Sequence, residues 1–165
     1  MLNPTAPFHK FADSTVRSFR RIHRFVVTQT VTTKLDFPSR IESVEQAAQA
    51  AAEFVARLQL GDEAAYGFDM AVREAVTNAV IHGNKQDETK QVEVLFTETP
   101  EQAEIAVRDY GTGFDLANVP DPTVKENLMK TNGRGILFMN TFMDAIKWEK
   151  AADGGTVVRM TKNRI

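Results

Sequence analysis

Residues 73–84 read REAVTNAVIHGN, and three of their side chains can do chemistry together. Glu74, Asn78 and His82 recur at four-residue spacing. On an α-helix that spacing stacks them on one face. Ala75, Val76, Ala79, Val80 and Ile81 lie between them and form an apolar surface suited to burial. An acid, an amide and an imidazole in one stripe beside a buried face build either a site or a polar network. The plainer reading of Glu74 is a surface ion pair with Arg73 or Lys85. For His82 the favoured reading is structural, satisfying a buried helix end.

Two further blocks follow. In the first, an apolar run, Ile105-Ala106-Val107, ends in Asp109, Gly111 and Gly113. Asp109 would stand at the mouth of a sheet, and the glycines let backbone approach a ligand closely. An acid before two spaced glycines can hydrogen-bond a base or ribose, although ordinary turns use the same residues. In the second, Gly133 and Gly135 flank Arg134 and open a helix. Glycine-rich helix starts bind phosphate through free N–H groups and the helix dipole; a flexible loop end is the alternative. Neither a Walker loop nor a dinucleotide fingerprint is present.

The elements that must hold these blocks are legible in outline. Residues 25–38 are rich in Val, Thr and Phe and predict a strand ending at Pro38. Ser39 and Glu42 have capping-box spacing, so a helix is expected from about Arg40 to Leu60, stopped by Gly61. Asp62 is expected to cap a second helix, Glu63 to His82. Residues 90–98 and 103–109 predict a hairpin turning at Thr99–Gln102. Residues 111–133 form a long loop, which in a compact domain is usually functional. A helix over Arg134–Phe142 and strands over Asp144–Lys150 and Gly155–Lys162 complete the chain. Met139, Phe142 and Met143 read as core, and Trp148 as core or half-buried. This order predicts an α+β two-layer sandwich, with helices on one face of a mixed, mostly antiparallel sheet.

Composition narrows the function classes. A chain of 165 residues with 42% apolar content suits a single core. The net charge of −2 provides no basic field for nucleic acid. Cysteine is absent, which excludes disulfides and cysteine-ligated metals. No run approaches the roughly 20 apolar residues of a membrane span, and residues 1–24 lack a secretory core. Arg17, Arg20, Arg21 and Arg24 cluster there around His23. We expect a solvated extension over 1–24, or a partner-docking arm, before a single folded domain over 25–165.

Taken together, EAVTNAVIHGN, DYGTGFDLANVPDPT, GRGILFMNTFMDAI and GGTVVRM resemble the GHKL (Bergerat) ATPases, and among them the bacterial anti-sigma-factor serine/threonine kinases. The resemblance covers about Phe25 to Lys162. It implies ATP and Mg²⁺ as the bound groups. It gives Asn78 the role of Mg²⁺ ligand, for which an amide oxygen is a reasonable hard donor. Glu74 becomes general base on the attacking hydroxyl, and Asp109 acceptor for the adenine amino group. Gly111 and Gly113 shape the adenine pocket. Gly133, Arg134 and Gly135 line the phosphates, and Thr156 supports Asp109. Residues 114–132 would close as a lid. The implied activity is phosphoryl transfer to an anti-sigma-factor antagonist, together with sequestration of a sigma factor in the cytoplasm. Relatives of this kind often dimerise. Two alternatives stand: an ATP-binding regulator that sequesters a partner without transfer, and the ATPase module of a sensor histidine kinase. Retention of both Glu74 and Asn78 argues against the first. The short stretch before Phe25, without a histidine-bearing helix pair, argues against the second.

Overall fold

The computed structural model describes residues 29–112 and 139–164. Five strands form one sheet: β1 (Val31–Pro38), β2 (Gln91–Glu98), β3 (Gln102–Arg108), β4 (Ala145–Lys150) and β5 (Thr156–Asn163). Their spatial order is β1-β2-β3-β5-β4. Each of the four pairings is antiparallel, so no parallel pair stands behind the expected mixed sheet among the described residues. Helices α1 (Ser43–Leu58) and α2 (Asp62–Asn78) supply the second layer.

Strand alternation decides which face is dry. Val92, Val94 and Phe96 of β2 pair with register positions that bring Ile105 and Val107 of β3 to the same face, and Val158 and Met160 of β5 continue it. All are buried. Against them α2 presents Ala64, Phe68, Ala71, Val72, Ala75 and Val76, a stripe at helical spacing. Phe68 is fully buried at its centre; full burial of one such side chain stabilises by about 1.5–3 kcal/mol. Residues 139–142 are helical and add Met139, with Met143 just beyond, to this core. Phe142 and Trp148 are partly buried against it.

The opposite sheet face is laced with charge. Lys34 bridges Asp36 and Glu93, and Arg159 bridges Glu104 and Glu149. No helix among the described residues is long and apolar enough to cross a membrane.

Three boundaries differ from expectation. Ser39 does not cap α1: its N–H extends the strand ladder to the Lys90 carbonyl, and its buried hydroxyl has no hydrogen-bond partner among the described residues. Residues 40–42 turn instead, and the helix starts at Ser43, whose hydroxyl donates to the Pro38 carbonyl at 2.6 Å. At the other end Gln59, in the left-handed region at φ 53°, stops α1. Gly61, at φ 85°, is the N-cap of α2, which makes Asp62 its first residue rather than its cap. Asp62 and Glu63 then place negative charge in the first turn, where the helix dipole favours it.

Candidate functional site

The last regular turn of α2 carries Glu74 and Asn78, both half-buried. Asn78 Nδ2 donates to Glu74 Oε1 at 3.0 Å. Neighbouring Arg73 does not neutralise this acid. Its guanidinium is held by Asp69 on its own helix and by Glu45 on α1, pairs that push its pKa up. The surface ion-pair reading of Glu74 with Arg73 therefore does not hold. With its nitrogen turned to Glu74, Asn78 makes no hydrogen bond through Oδ1 among the described residues.

Beyond Asn78 the helix changes period. Residues Ala79–Gly83 form a π turn, in which the Asn84 N–H donates to the Ala79 carbonyl at 2.8 Å. Such turns gather at functional sites. The wider turn takes His82 off the Glu74–Asn78 stripe and leaves it exposed. The expectation that His82 satisfies a buried helix end is thus overturned by the extra residue in this turn. Ile81 is pushed outward as well, to 37% exposure.

Asn84 is buried at 1% exposure. Its Nδ2 donates to the Gln91 carbonyl at 2.9 Å, and its Oδ1 accepts from the Tyr110 N–H at 2.8 Å. Both ends of its amide are therefore used inside the fold.

Asp109 follows β3 as expected, at 5% exposure. Its N–H donates to the Thr156 carbonyl at 3.0 Å, and its Oδ1 accepts from the Gly111 N–H at 2.8 Å. Thr156 meets Asp109 through its main-chain carbonyl. Oδ2 makes no hydrogen bond among the described residues. Backbone crowds this carboxyl closely. A Cβ on Gly83 would overlap the Asp109 carboxyl carbon, and one on Gly111 would overlap the Gly83 carbonyl. Gly155, at φ 84°, lies against the Asp109 carbonyl in the same way. Sequence reasoning found Gly111. It did not find Gly83 or Gly155 as packing partners, because that contact depends on how three separate elements converge.

A polar chain runs outward from Asp109 along the open sheet face. The Arg108 guanidinium lies 4.3 Å from the Tyr110 ring centroid and pairs with Asp153. The Tyr110 hydroxyl donates to Glu93 at 3.0 Å, and Lys34 also binds Glu93. Burial raises the Glu93 carboxyl, but the Lys34 and Tyr110 hydrogen bonds outweigh it and hold the group below its ordinary range. Burial pushes the Tyr110 phenol up, and the bond to Glu93 adds to that.

The described residues thus bring together Glu74, Asn78, Asp109, Gly111 and Thr156 around the end of α2 and the adjoining strand ends. Gly113, Gly133, Arg134 and Gly135 lie outside the described residues, as does the 114–132 segment expected to form a lid.

Residues 37–162 match the histidine kinase-like ATPase domain family. The chain belongs to that family. Curated relatives point the same way. An anti-sigma F factor of Clostridium perfringens is 34% identical over 132 residues, spanning 78% of this chain and 94% of the relative. One of Clostridium botulinum is 35% identical over 133 residues, 78% of this chain and 91% of the relative. One of Heyndrickxia coagulans is 33% identical over 134 residues, 79% and 90% respectively.

An ATPase domain of this family binds ATP, and the residues present fit that ligand. A buried carboxylate with Oδ2 uncommitted, held in place by backbone that packs closely on it at Gly83, Gly111 and Gly155, suits an exocyclic amino group. Among the described residues no group of three His, Cys, Asp or Glu could enclose a metal. Mg²⁺ does not need such a group, because it keeps waters and takes phosphate oxygens beside one or two protein oxygens. Asn78 Oδ1 is an oxygen of that kind.

Proposed function

We propose that the protein is an ATP-dependent serine/threonine kinase that acts as an anti-sigma factor. It sequesters a sigma factor in the cytoplasm and phosphorylates the antagonist that would displace it. The observation that carries this reading is the Glu74–Asn78 pair. A carboxylate free of Arg73 stands one helical turn from an amide whose oxygen is uncommitted. A protein that only bound nucleotide would have use for Asn78 and Asp109 but none for Glu74. The anti-sigma F factors to which the chain is similar support the partner class.

In this mechanism Asp109 Oδ2 accepts from the adenine amino group and sets the register of the nucleotide. Asn78 Oδ1 would hold Mg²⁺, which when bound neutralises charge on the β- and γ-phosphates. Glu74 lies beside the γ-phosphate end. The partner's hydroxyl oxygen bonds to the γ-phosphorus while the bond to the β–γ bridging oxygen breaks and ADP leaves. The hydroxyl proton passes to the Glu74 carboxylate. The hydrogen bond from Asn78 Nδ2 orients that carboxylate before the substrate arrives. Gly113, Gly133, Arg134 and Gly135 would complete the nucleotide pocket and phosphate cradle. The ATP-binding domain spans 25–165, residues 1–24 form an extension, and two copies form the working homodimer.

The test is transfer of radiolabel from γ-labelled ATP, with Mg²⁺, to a co-encoded antagonist protein. Label on a serine or threonine of that protein supports the reading. Tight ATP binding without transfer supports instead a regulator that sequesters its partner without chemistry.

A further inference from the structure

Asn84 is the one polar side chain among the large, fully buried ones in the described core. Its groups reach three elements. The main-chain N–H closes the π turn on Ala79, Nδ2 holds the first residue of β2 through the Gln91 carbonyl, and Oδ1 receives the Tyr110 N–H. Tyr110 is the residue directly after Asp109. Asp109 is therefore pinned on both sides: its own N–H by the Thr156 carbonyl of β5, and the next N–H by Asn84. Only then does the Gly111 N–H turn its carboxylate. The same Asn84 closes the turn that begins directly after Asn78.

We propose that Asn84 is a positioning residue. It sets the carboxylate of Asp109 against the base, and ties that end of the site to the helix end carrying Glu74 and Asn78. This rests on Asp109 reading the adenine amino group, as in the function proposed above. The bond that matters is Oδ1 with the Tyr110 N–H. The Nδ2 bond to Gln91 anchors the side chain to β2. Removing the amide takes away the acceptor of the Tyr110 N–H and the donor to the Gln91 carbonyl, two part-buried bonds, and frees the peptide after Asp109 to rotate. A site that recognises an N–H group discriminates strongly only while its own polar atoms are held in place.

The experiment compares ATP with inosine triphosphate, which has an oxo group where adenine has its amino group. Affinities for both, with Mg²⁺, are measured by titration calorimetry on the full chain. Wild type is expected to prefer ATP. Asn84→Ala is expected to lower the ATP-to-ITP affinity ratio about tenfold, the scale of one misplaced hydrogen bond. Asn84→Asp keeps the acceptor for Tyr110 and is expected to keep most of the ratio even where its melting temperature falls. Asn84→Ser, too short to reach Tyr110, provides the loss arm if the alanine variant does not fold. An unchanged ratio in a folded alanine or serine variant would overturn the proposal. So would an aspartate variant that loses the ratio as completely as they do. If wild type itself does not distinguish the two nucleotides, the base reading of Asp109 fails and this proposal fails with it. A wild-type preference that survives in Asn84→Ala sinks this proposal alone.

Discussion

Glu74 and Asn78 are joined side chain to side chain, Asn78 Nδ2 to Glu74 Oε1 at 3.0 Å, across one turn of α2. This single bond decides which face of each group remains for a ligand. It commits the amide nitrogen and so leaves the amide oxygen uncommitted. It also fixes one carboxylate oxygen and leaves the other for a proton.

Asn78→Ala should weaken ATP binding in the presence of Mg²⁺ by about tenfold or more, near 1.4 kcal/mol. Binding measured with the metal chelated should change little, because the adenine end is untouched. Parallel titrations with Mg²⁺ and with EDTA check this. An equal loss under both conditions would point to a structural role for Asn78.

Gly83→Ala should lower ATP affinity more than it lowers stability. The new Cβ would meet the Asp109 carboxyl group, and the carboxylate must move to make room. Gly155→Ala meets backbone instead, at a positive φ, and cannot be relieved by a side-chain shift. It should cost about 1–3 kcal/mol of stability. Denaturant midpoints and nucleotide titrations on the two variants separate these effects.

Acid should destabilise the fold. The Glu93 carboxyl is raised by burial but brought lower overall by Lys34 and Tyr110, and Asp144 is lowered by the Asn163 N–H and by Lys162. A folded-state pKa below the unfolded one gives stability that is complete above the unfolded carboxylate range and is lost as pH falls through the folded value. Melting temperature should therefore drop steadily as pH falls below the ordinary carboxylate range. Glu93→Gln should flatten part of that dependence, and an unchanged pH profile would contradict the assignment. Tyr110 works in the opposite sense. Its phenol is raised by burial, so its contribution is full below the ordinary tyrosine pKa and disappears at strongly alkaline pH.

Phe68→Ala should cost about 3–5 kcal/mol, the usual range for deleting a buried aromatic ring. Phe68 is fully buried between α2 and the sheet, with no water-facing side into which the site could relax. Chemical denaturation at constant m-value checks the figure.

Much of the architecture was legible because it follows from local periodicity. The stripe from Ala64 to Val76 has helical spacing, and Val92, Val94 and Phe96 alternate, so α2 and β2 lie where the sequence puts them. Glu74 and Asn78 could be paired for the same reason, both lying within the regular helix. His82 could not be placed, because the helix widens into a π turn only after Asn78 and nothing in the local residue types announces it. Ser39 looked like a cap, but the strand ladder runs on through its N–H to Lys90, far away in sequence, and the helix starts only at Ser43. The role of Asn84 comes from Gln91 and Tyr110, which only tertiary folding brings to it. Short-range chemistry was therefore visible, and the long-range bonds that aim it were not.

The central claim is that Glu74 takes the proton of the attacking hydroxyl. The most direct test is phosphate transfer to the antagonist by Glu74→Gln beside wild type, at saturating Mg-ATP. Glutamine keeps an acceptor for Asn78 Nδ2, so nucleotide binding should be preserved. Transfer should fall by about 10²–10⁴-fold, the range for loss of a positioned general base. Transfer by the glutamine variant at the wild-type rate would contradict the account.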